Sequence, residues 1–534
     1  MEILRKKIWG VRGIVERKGT MSTDVLTAKH EFTAQRESWC SRLLKSLLAP
    51  VDIAGLVVFR MGFGLIAAWW AVDYLVRGRM NVAYLVPKFH FTYYGFDWIQ
   101  PWPAWGMHLH FAVLALTALA IAVGFYYRAA TFVFAVGLTY VFLLDRTNYQ
   151  NHYYLLVLIS WLMVILPLHQ GFSVDATFGL TNMRSTIPKW MLWLTRFHIG
   201  LPCFFGGAAK FEADWFAGAP FRQTLQANDW WPLIGPLFRQ EPIVQLLIWG
   251  GLLFDLSIVP LLLWRRTRFP AYLICVVFHL MNSQLFDIHI FPWFMIIATT
   301  VFFEPDWPRR VLQMRRRSTI NRTLTGPELI PRWSDLPRRK KICASLLIAY
   351  CLFHCVWPFR HHVYPGPASW TEQGHFFAWR MMLRGKMVGF RYFLTDPRTG
   401  QTQLVDPRPI LSHLQMMSFG RDPEMILHLA HHIAAEHLRQ FGTRVEVRAL
   451  VLTSLNGRKP QLQIDPNVDL ASIPRGFHSR PWIQPLTERL PETPWSVPIS
   501  QWEQHVRIPT LAFLQRNAGA QSALENAAQR AAVE

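Results

Sequence analysis

Acidic residues are scarce in this chain: 34 Asp and Glu against 55 Lys and Arg leave a formal charge of +21 over 534 residues. Such an excess invites a nucleic-acid reading. The basic residues sit instead in clusters between apolar runs, the distribution that membrane topology imposes, so no nucleic-acid partner is expected. Cysteine is also scarce. Cys40, Cys203, Cys275, Cys343, Cys351 and Cys355 are the complete set, and none follows residue 357. No C-x-x-C spacing occurs, which speaks against a thiolate metal centre, and the tail cannot be stapled by disulfides. Cys351 and Cys355, one helical turn apart, read as small buried hydrophobes. A secretory signal peptide is not expected, because the first apolar run begins near Ile53; that run is expected to act as an uncleaved insertion signal. There is no internal repeat.

What the chain has in abundance is apolar surface: 51% hydrophobic residues, with 24 Trp and 38 Phe, most of them before residue 357. A bilayer core takes about 20 apolar helical residues. Runs at 53–76, 107–127, 129–145, 152–168, 190–210, 243–264, 270–286, 288–303 and 342–357 are candidate spans. They predict an all-α multi-pass transmembrane bundle of about nine helices. Three basic clusters orient it: the N-terminal segment (Arg5, Lys6, Lys7, Arg12, Arg17, Lys18), Arg265-Arg266-Thr267-Arg268, and the loop holding Arg309, Arg310, Arg315, Arg316, Arg317, Arg338, Arg339, Lys340 and Lys341. With the N-terminus inside, all three fall on the cytoplasmic side. The expected organisation is a basic cytoplasmic segment at 1–49, the bundle at 50–357 with a cytoplasmic loop at 304–341, an extracytoplasmic mixed α/β domain at 358–490, and a partly helical or disordered extension at 491–534.

In the tail, Met387 to Thr395 alternates as a strand, Asp396-Pro397-Arg398-Thr399-Gly400 is a turn, and Gln401 to Val405 returns as a partner. Residues 423–441 carry a helical period. Val445 to Thr453 is a second strand, and Asn456-Gly457 signals a hairpin leading to Gln461–Ile464. The last fifteen residues read as a loose helix or disordered end.

Ionisable groups at the mouth of a membrane bundle are costly and invite a functional reading. The expected topology brings several to the outer side: Lys210 after the fifth span, Asn151-His152 opening the fourth, His279 with Asn282, Ser283 and Gln284 in the seventh, and His361 and His362 past the ninth. A lysine in a low-dielectric site loses its charge more readily and can serve as a base towards a phenol-like hydroxyl of a lipid quinol. The competing reading has Lys210 snorkelling to the interface, paired with Glu212 or Asp214, and each histidine a satisfied polar group. Arg60, early in the first span, reads as structural or headgroup-binding. His428, His432 and Glu436 share one helix face, which an amphipathic surface helix explains as well as a metal does. Asn321-Arg322-Thr323 is a sequon on the cytoplasmic side of the expected topology, and so unused.

These residues lie within longer patches: Pro50-Val51-Asp52, Val58-Phe59-Arg60, Val141 to Thr147, Asn151-His152, Ala213-Asp214-Trp215, Phe278 to Phe286, Pro305 to Arg309, Trp370-Thr371, Trp379-Arg380-Met381-Met382, Asp465-Pro466 and Trp482 to Leu486. In this order they closely resemble the vitamin K-dependent γ-glutamyl carboxylase family, whose membrane part is called the HTTM domain. The resemblance covers about residues 50 to 490. It implies carboxylation of protein glutamate to γ-carboxyglutamate, coupled to epoxidation of reduced vitamin K (phylloquinone or menaquinone type) with O2 and CO2 and without a metal. It implies Lys210 as the base, His152 as its partner, and His279 and His361 as further functional histidines. Asn151, Asn282, Gln284, Met381 and Met382 are the expected quinol contacts. Arg380, Arg384, Lys386 and Arg391 are the expected anchors for an acidic peptide. Animal members add a C-terminal β-rich region and a disulfide between the two parts, neither found here, which leans towards a bacterial inner membrane. Two other readings stand beside it: a quinol-epoxidising oxidase that carboxylates no protein, and a non-enzymatic membrane receptor or lipid-binding protein.

Overall fold

The computed structural model describes residues 39–315 and 336–515, apart from residues 229, 233, 234 and 287. The basic run at 5–18, Arg316 and Arg317, the sequon at Asn321 and the last fifteen residues lie outside the described residues. Each expected apolar run carries a helix: α1 Ala54–Val76, α2 Ala104–Val123, α3 Tyr127–Leu144, α4 Asn151–Ile165, α5 Lys189–Ala208, α6 Glu241–Leu263, α7 Arg268–Leu285, α8 Phe291–Ala298 and α9 Arg338–Val356. Among the described residues, five helical stretches are long and apolar enough to cross a membrane: α1, α2, α3, α6 and Arg338–Val363, which continues α9. The others are too short or too polar for length and composition alone to decide. The chain is mainly helical, with a small sheet-containing C-terminal region.

The bundle has two chemically different ends. At one, strand β1 (Pro50–Asp52) pairs antiparallel with β2 (Thr186–Pro188), Arg309 holds Asp52 at 2.9 Å, and Arg268 pairs with Glu304. Arg60 is buried here, its guanidinium donating to the carbonyls of Leu168 at 2.8 Å and Phe172 at 2.7 Å. Charge buried in a bundle has to be spent on acceptors, and Arg60 satisfies backbone that the turns after α2 and α4 leave open. Gly124, at φ +70°, ends α2 there; a Cβ would stand 2.7 Å from the Arg60 guanidinium.

The other end carries the tail. Strands β3 (Lys386–Thr395), β4 (Thr402–Val405), β5 (Glu446–Leu455) and β6 (Gln461–Leu462) form one antiparallel sheet in the order β4-β3-β5-β6. Asn456 and Gly457 turn β5 into β6 with φ of 54° and 79°, the conformation a tight hairpin needs. Helix α10 (Pro423–Phe441) covers one face, its start capped by Asp422 accepting from the Glu424 N–H at 2.9 Å. Phe513 and Leu514 pack with Phe393 and Leu450 in a separate cluster, and Trp502 is buried. Up to residue 515 the extension carries short helices, Trp502–His505 and Ala512–Gln515, and packs against the tail.

Polar contacts tie tail to bundle. Asp422, the α10 cap, also takes the Arg146 guanidinium at 2.5 Å. Asp145 accepts from Gln415 at 2.7 Å, and Asp214 accepts from Arg458 at 2.6 and 2.7 Å and from Asn456 at 2.8 Å.

Candidate functional site

A cavity of about 810 Å³ lies where the tail meets the ends of α4 to α8. Its polar end is built on the close of α5. The helix stops at Ala208, and Lys210 turns back so that its amine donates to the Gly206 carbonyl at 3.1 Å and meets Asp255 Oδ2 at 2.5 Å. Both side chains are buried, and the Trp215 ring lies 5.0 Å below the amine. Gly206 makes this approach possible. A Cβ there would stand 2.7 Å from Met381 Cε and 3.5 Å from Asp255 Oδ2.

The snorkelling reading of Lys210 does not hold: Glu212 is taken by Arg380 and Asp214 by Arg458. Asp255 is the partner, and inspection of the sequence passed over it. A signal existed, since Asp255 is the single acidic residue in the 243–264 run, and an acid within a membrane span is a site candidate by default.

His152 and His279 line the same cavity. Both are buried, and among the described residues His152 Nε2 and His279 Nδ1 have no hydrogen-bond partner. Their rings flank Phe291, His152 stacked at 5.4 Å and His279 edge-on at 6.0 Å between centroids. A buried, unsatisfied imidazole nitrogen is costly. Two along one apolar wall make sites for the polar atoms of a ligand. Asn151, Asn282, Met381 and Met382 line the cavity as well. Gln284 does not: it is exposed and donates to Ser283 Oγ at 3.3 Å, because the end of α7 turns it outward.

The tail supplies the roof, residues 372–384. Glu372, Phe377, Trp379 and Met382 all have φ near +60°, a conformation bulky side chains adopt at a cost of about 1–3 kcal/mol each. Buried charge holds it. Glu372 Oε1 accepts from Arg384 and from Lys386, both at 2.6 Å. The Lys386 amine also donates to the carbonyls of Trp370 at 2.7 Å and Arg421 at 2.9 Å. Burial pushes the Lys386 amine down to about 8, against the pull of Glu372. His375 takes an Arg384 N–H on Nε2 at 2.7 Å; burial first, then the guanidinium, holds this imidazole well below its usual range.

Of the expected peptide anchors, Arg380 and Arg384 reach the cavity. Lys386 does not, being buried beneath the roof as its strut. Arg391 faces away on β3, paired with Glu503 at 2.6 Å. His361 also lies behind the wall. Its Nε2 accepts from Arg380 at 3.2 Å, while Nδ1 faces the Pro358 carbonyl at 2.8 Å. Arg421, exposed at the cavity mouth, was not foreseen. It makes no side-chain hydrogen bond or ion pair among the described residues, although it lines the cavity beside Arg384.

His428 and His432 share the Phe89 ring, His428 meeting it edge-on at 4.9 Å. His428 accepts from Arg475 at 3.1 Å, His432 stacks on Phe89 at 4.3 Å, and Glu436 pairs with Arg439. Their shared face is a packing face.

Comparison with known families matches residues 48–307 to the HTTM domain and residues 339–489 to the lumenal domain of vitamin K-dependent gamma-carboxylase. The two matches lie in sequence order, one on α1 to α8 and one on α9 and the tail, and residues from both line the cavity. The chain belongs to the vitamin K-dependent γ-glutamyl carboxylase family. No solved structure matches the chain. The cavity thus draws its lysine, acid and paired histidines from the HTTM region and its strained roof from the lumenal-domain region.

Proposed function

We propose that this protein carboxylates glutamate side chains of a peptide or protein at the expense of a reduced lipid quinone of the vitamin K type, with O2 and CO2 as co-substrates. The observation that carries the reading is the buried Lys210–Asp255 pair, 2.5 Å apart, in one cavity with the unpartnered nitrogens of His152 and His279. A flat apolar ring with polar oxygens at its edges suits these walls. Phe291 and Met381 offer apolar contact, and the imidazole nitrogens and the amine offer hydrogen bonds. When bound, a quinol oxidised by O2 supplies the strong base that glutamate γ-carbon chemistry demands.

The protein's own share is proton handling and exclusion of water. Lys210 takes the proton of a quinol hydroxyl at Nζ, and Asp255, 2.5 Å away, stabilises the ammonium formed. His152 and His279 orient the hydroxyls. A carbanion survives only where water is kept out, which the Trp379–Met382 roof does over an apolar interior. Arg384, gripped by Glu372 and His375, and the unpaired Arg421 offer donors to an incoming carboxylate at the mouth. His361 acts through Arg380. Lys386, buried against Glu372, and Arg391, paired with Glu503, face away from an incoming peptide.

The topology belongs to the same reading. A nine-span bundle with its basic end, including Arg268, Arg309 and the 304–341 loop, in the cytoplasm and its cavity and tail outside is the proposed arrangement, most simply across a bacterial inner membrane.

The test is incubation of the purified protein with reduced vitamin K, labelled bicarbonate and a glutamate-containing peptide, scoring label in peptide and epoxide together. Epoxide without labelled peptide would assign the protein as a quinol-epoxidising oxidase. Neither product would leave a receptor or lipid-binding role.

A further inference from the structure

The cavity does not close against protein on every side. Leu246 on α6 and Leu273, Ile274 and Val277 on α7 line it, yet these residues are 65%, 49%, 55% and 66% exposed. They belong at once to the interior wall and to the apolar outside of the bundle. Between them stand Gly250 and Gly251 in the middle of α6. Mid-helix glycine weakens a helix and usually marks a close backbone approach. Here a Cβ on Gly250 would meet nothing within 4 Å, and one on Gly251 only Trp215 at 3.9 Å. No packing accounts for the pair. What the missing side chains leave is an open slot through the α6–α7 wall, at the height of an apolar helix exterior.

We propose that this slot is a lateral portal holding the apolar tail of the cavity's lipid substrate, and that Gly250 and Gly251 set how thick and how long a tail is accepted. The proposal rests on the quinol reading above and adds the tail to it. Three observations select this occupant. The cavity, at about 810 Å³, lies in the upper part of the roughly 300–1,000 Å³ that ligand pockets span, more than a bicyclic ring fills. Its inner end presents the two unpartnered buried imidazole nitrogens, His152 Nε2 and His279 Nδ1, which suit a polar head. Its slot end is lined by leucine, isoleucine and valine. One molecule with a polar-edged ring and a long hydrocarbon tail fits both ends, whereas a bilayer acyl chain fits only the second.

The test compares quinols that share a ring and differ in the tail: none, or several isoprene units. In Gly250→Leu/Gly251→Leu the side chains project into the slot, and replacing mid-helix glycine does not weaken the helix. The ratio of KM for the tailed quinol to KM for the tailless one should rise about tenfold, the loss expected when about two methylene groups give up their burial. An unchanged ratio in a variant that still carboxylates would overturn the portal and leave the function standing. A second arm needs no turnover: a tailed quinone with a diazirine at the tail end should label residues 246–253 and 273–277 on irradiation. Labelling there with no epoxide or carboxylated product would keep the portal and sink the function. Labelling elsewhere, or labelling of these residues by a diazirine phospholipid that excess tailed quinone does not suppress, would overturn the portal.

Discussion

Lys210 and Asp255 meet in a cavity where, among the described residues, neither has another ionic partner, so the fate of one proton decides what the site can do. Lys210→Ala removes the one amine that lines the cavity among the described residues. Epoxide and carboxylated peptide should both fall by a factor of about 100 to 10,000, the span typical of losing a general base. Lys210→Arg should fail as well, because a guanidinium stays protonated. Near-normal epoxide yield from folded Lys210→Ala at saturating quinol would place the base elsewhere. Asp255→Asn keeps the volume and removes the charge that stabilises the ammonium. It should lower kcat by roughly 100-fold, the scale of losing one electrostatic partner of a developing charge, with KM for the peptide little changed. A drop in peptide affinity without a drop in kcat would instead assign Asp255 to binding.

The roof at 372–384 behaves as one element. Its left-handed residues persist because Glu372 pulls Arg384 and Lys386 to one carboxylate oxygen. Glu372→Ala leaves a buried cation without its acid, a loss of about 3–5 kcal/mol, and should lower the melting temperature of the protein. Glu372→Gln keeps an acceptor for part of the cluster and should lose less. Its informative readout is solvent leakage, seen as more epoxide per carboxylated glutamate. An unchanged ratio would show that the roof does not shield the cavity. The α10 element gives a pH prediction. Burial, reinforced by Arg475, pushes His428 down to about 3, against an ordinary value of about 6.5. Between these values the unfolded chain binds the proton and the folded one does not. Stability is therefore complete above about pH 6.5 and falls on acidification by about 1.4 kcal/mol per pH unit from this residue. His428→Gln should flatten the decline measured by thermal melts from pH 7 to pH 5; an unaltered slope would remove His428 as its source.

At the scale of the whole molecule, the two ends of the bundle differ in what they bind. One gathers Arg60, Arg268 and Arg309 with β1 and β2, and the other receives the tail through Arg146–Asp422 and Asp214–Arg458. A cysteine replacing Ile320 should be labelled from the cytoplasmic side only, and one replacing Arg398, exposed in the β3–β4 turn, from the outside only. Labelling of position 320 in intact cells would sink the topology.

The sequence by itself determined the elements. Apolar runs read as helices appear as helices. Residues 423–441 form α10, and the β5–β6 turn lies at Asn456-Gly457, a pair that takes positive φ at little steric cost. These features follow from local periodicity and backbone sterics, which act over a few residues and are written in them. The site was legible in part. Lys210, His152, His279, Met381 and Met382 come together, as do Arg380 and Arg384. His361, Gln284, Lys386 and Arg391 are turned elsewhere, because helix phase and strand facing decide where a side chain points, and a boundary error of one residue reverses a strand face. Only the tertiary structure decided the partners: Asp255 for Lys210, Glu372 for Lys386, Glu212 for Arg380. In a low-dielectric interior each charge must meet its counter-charge, and which counter-charge arrives depends on the packing of helices and tail far apart in the chain.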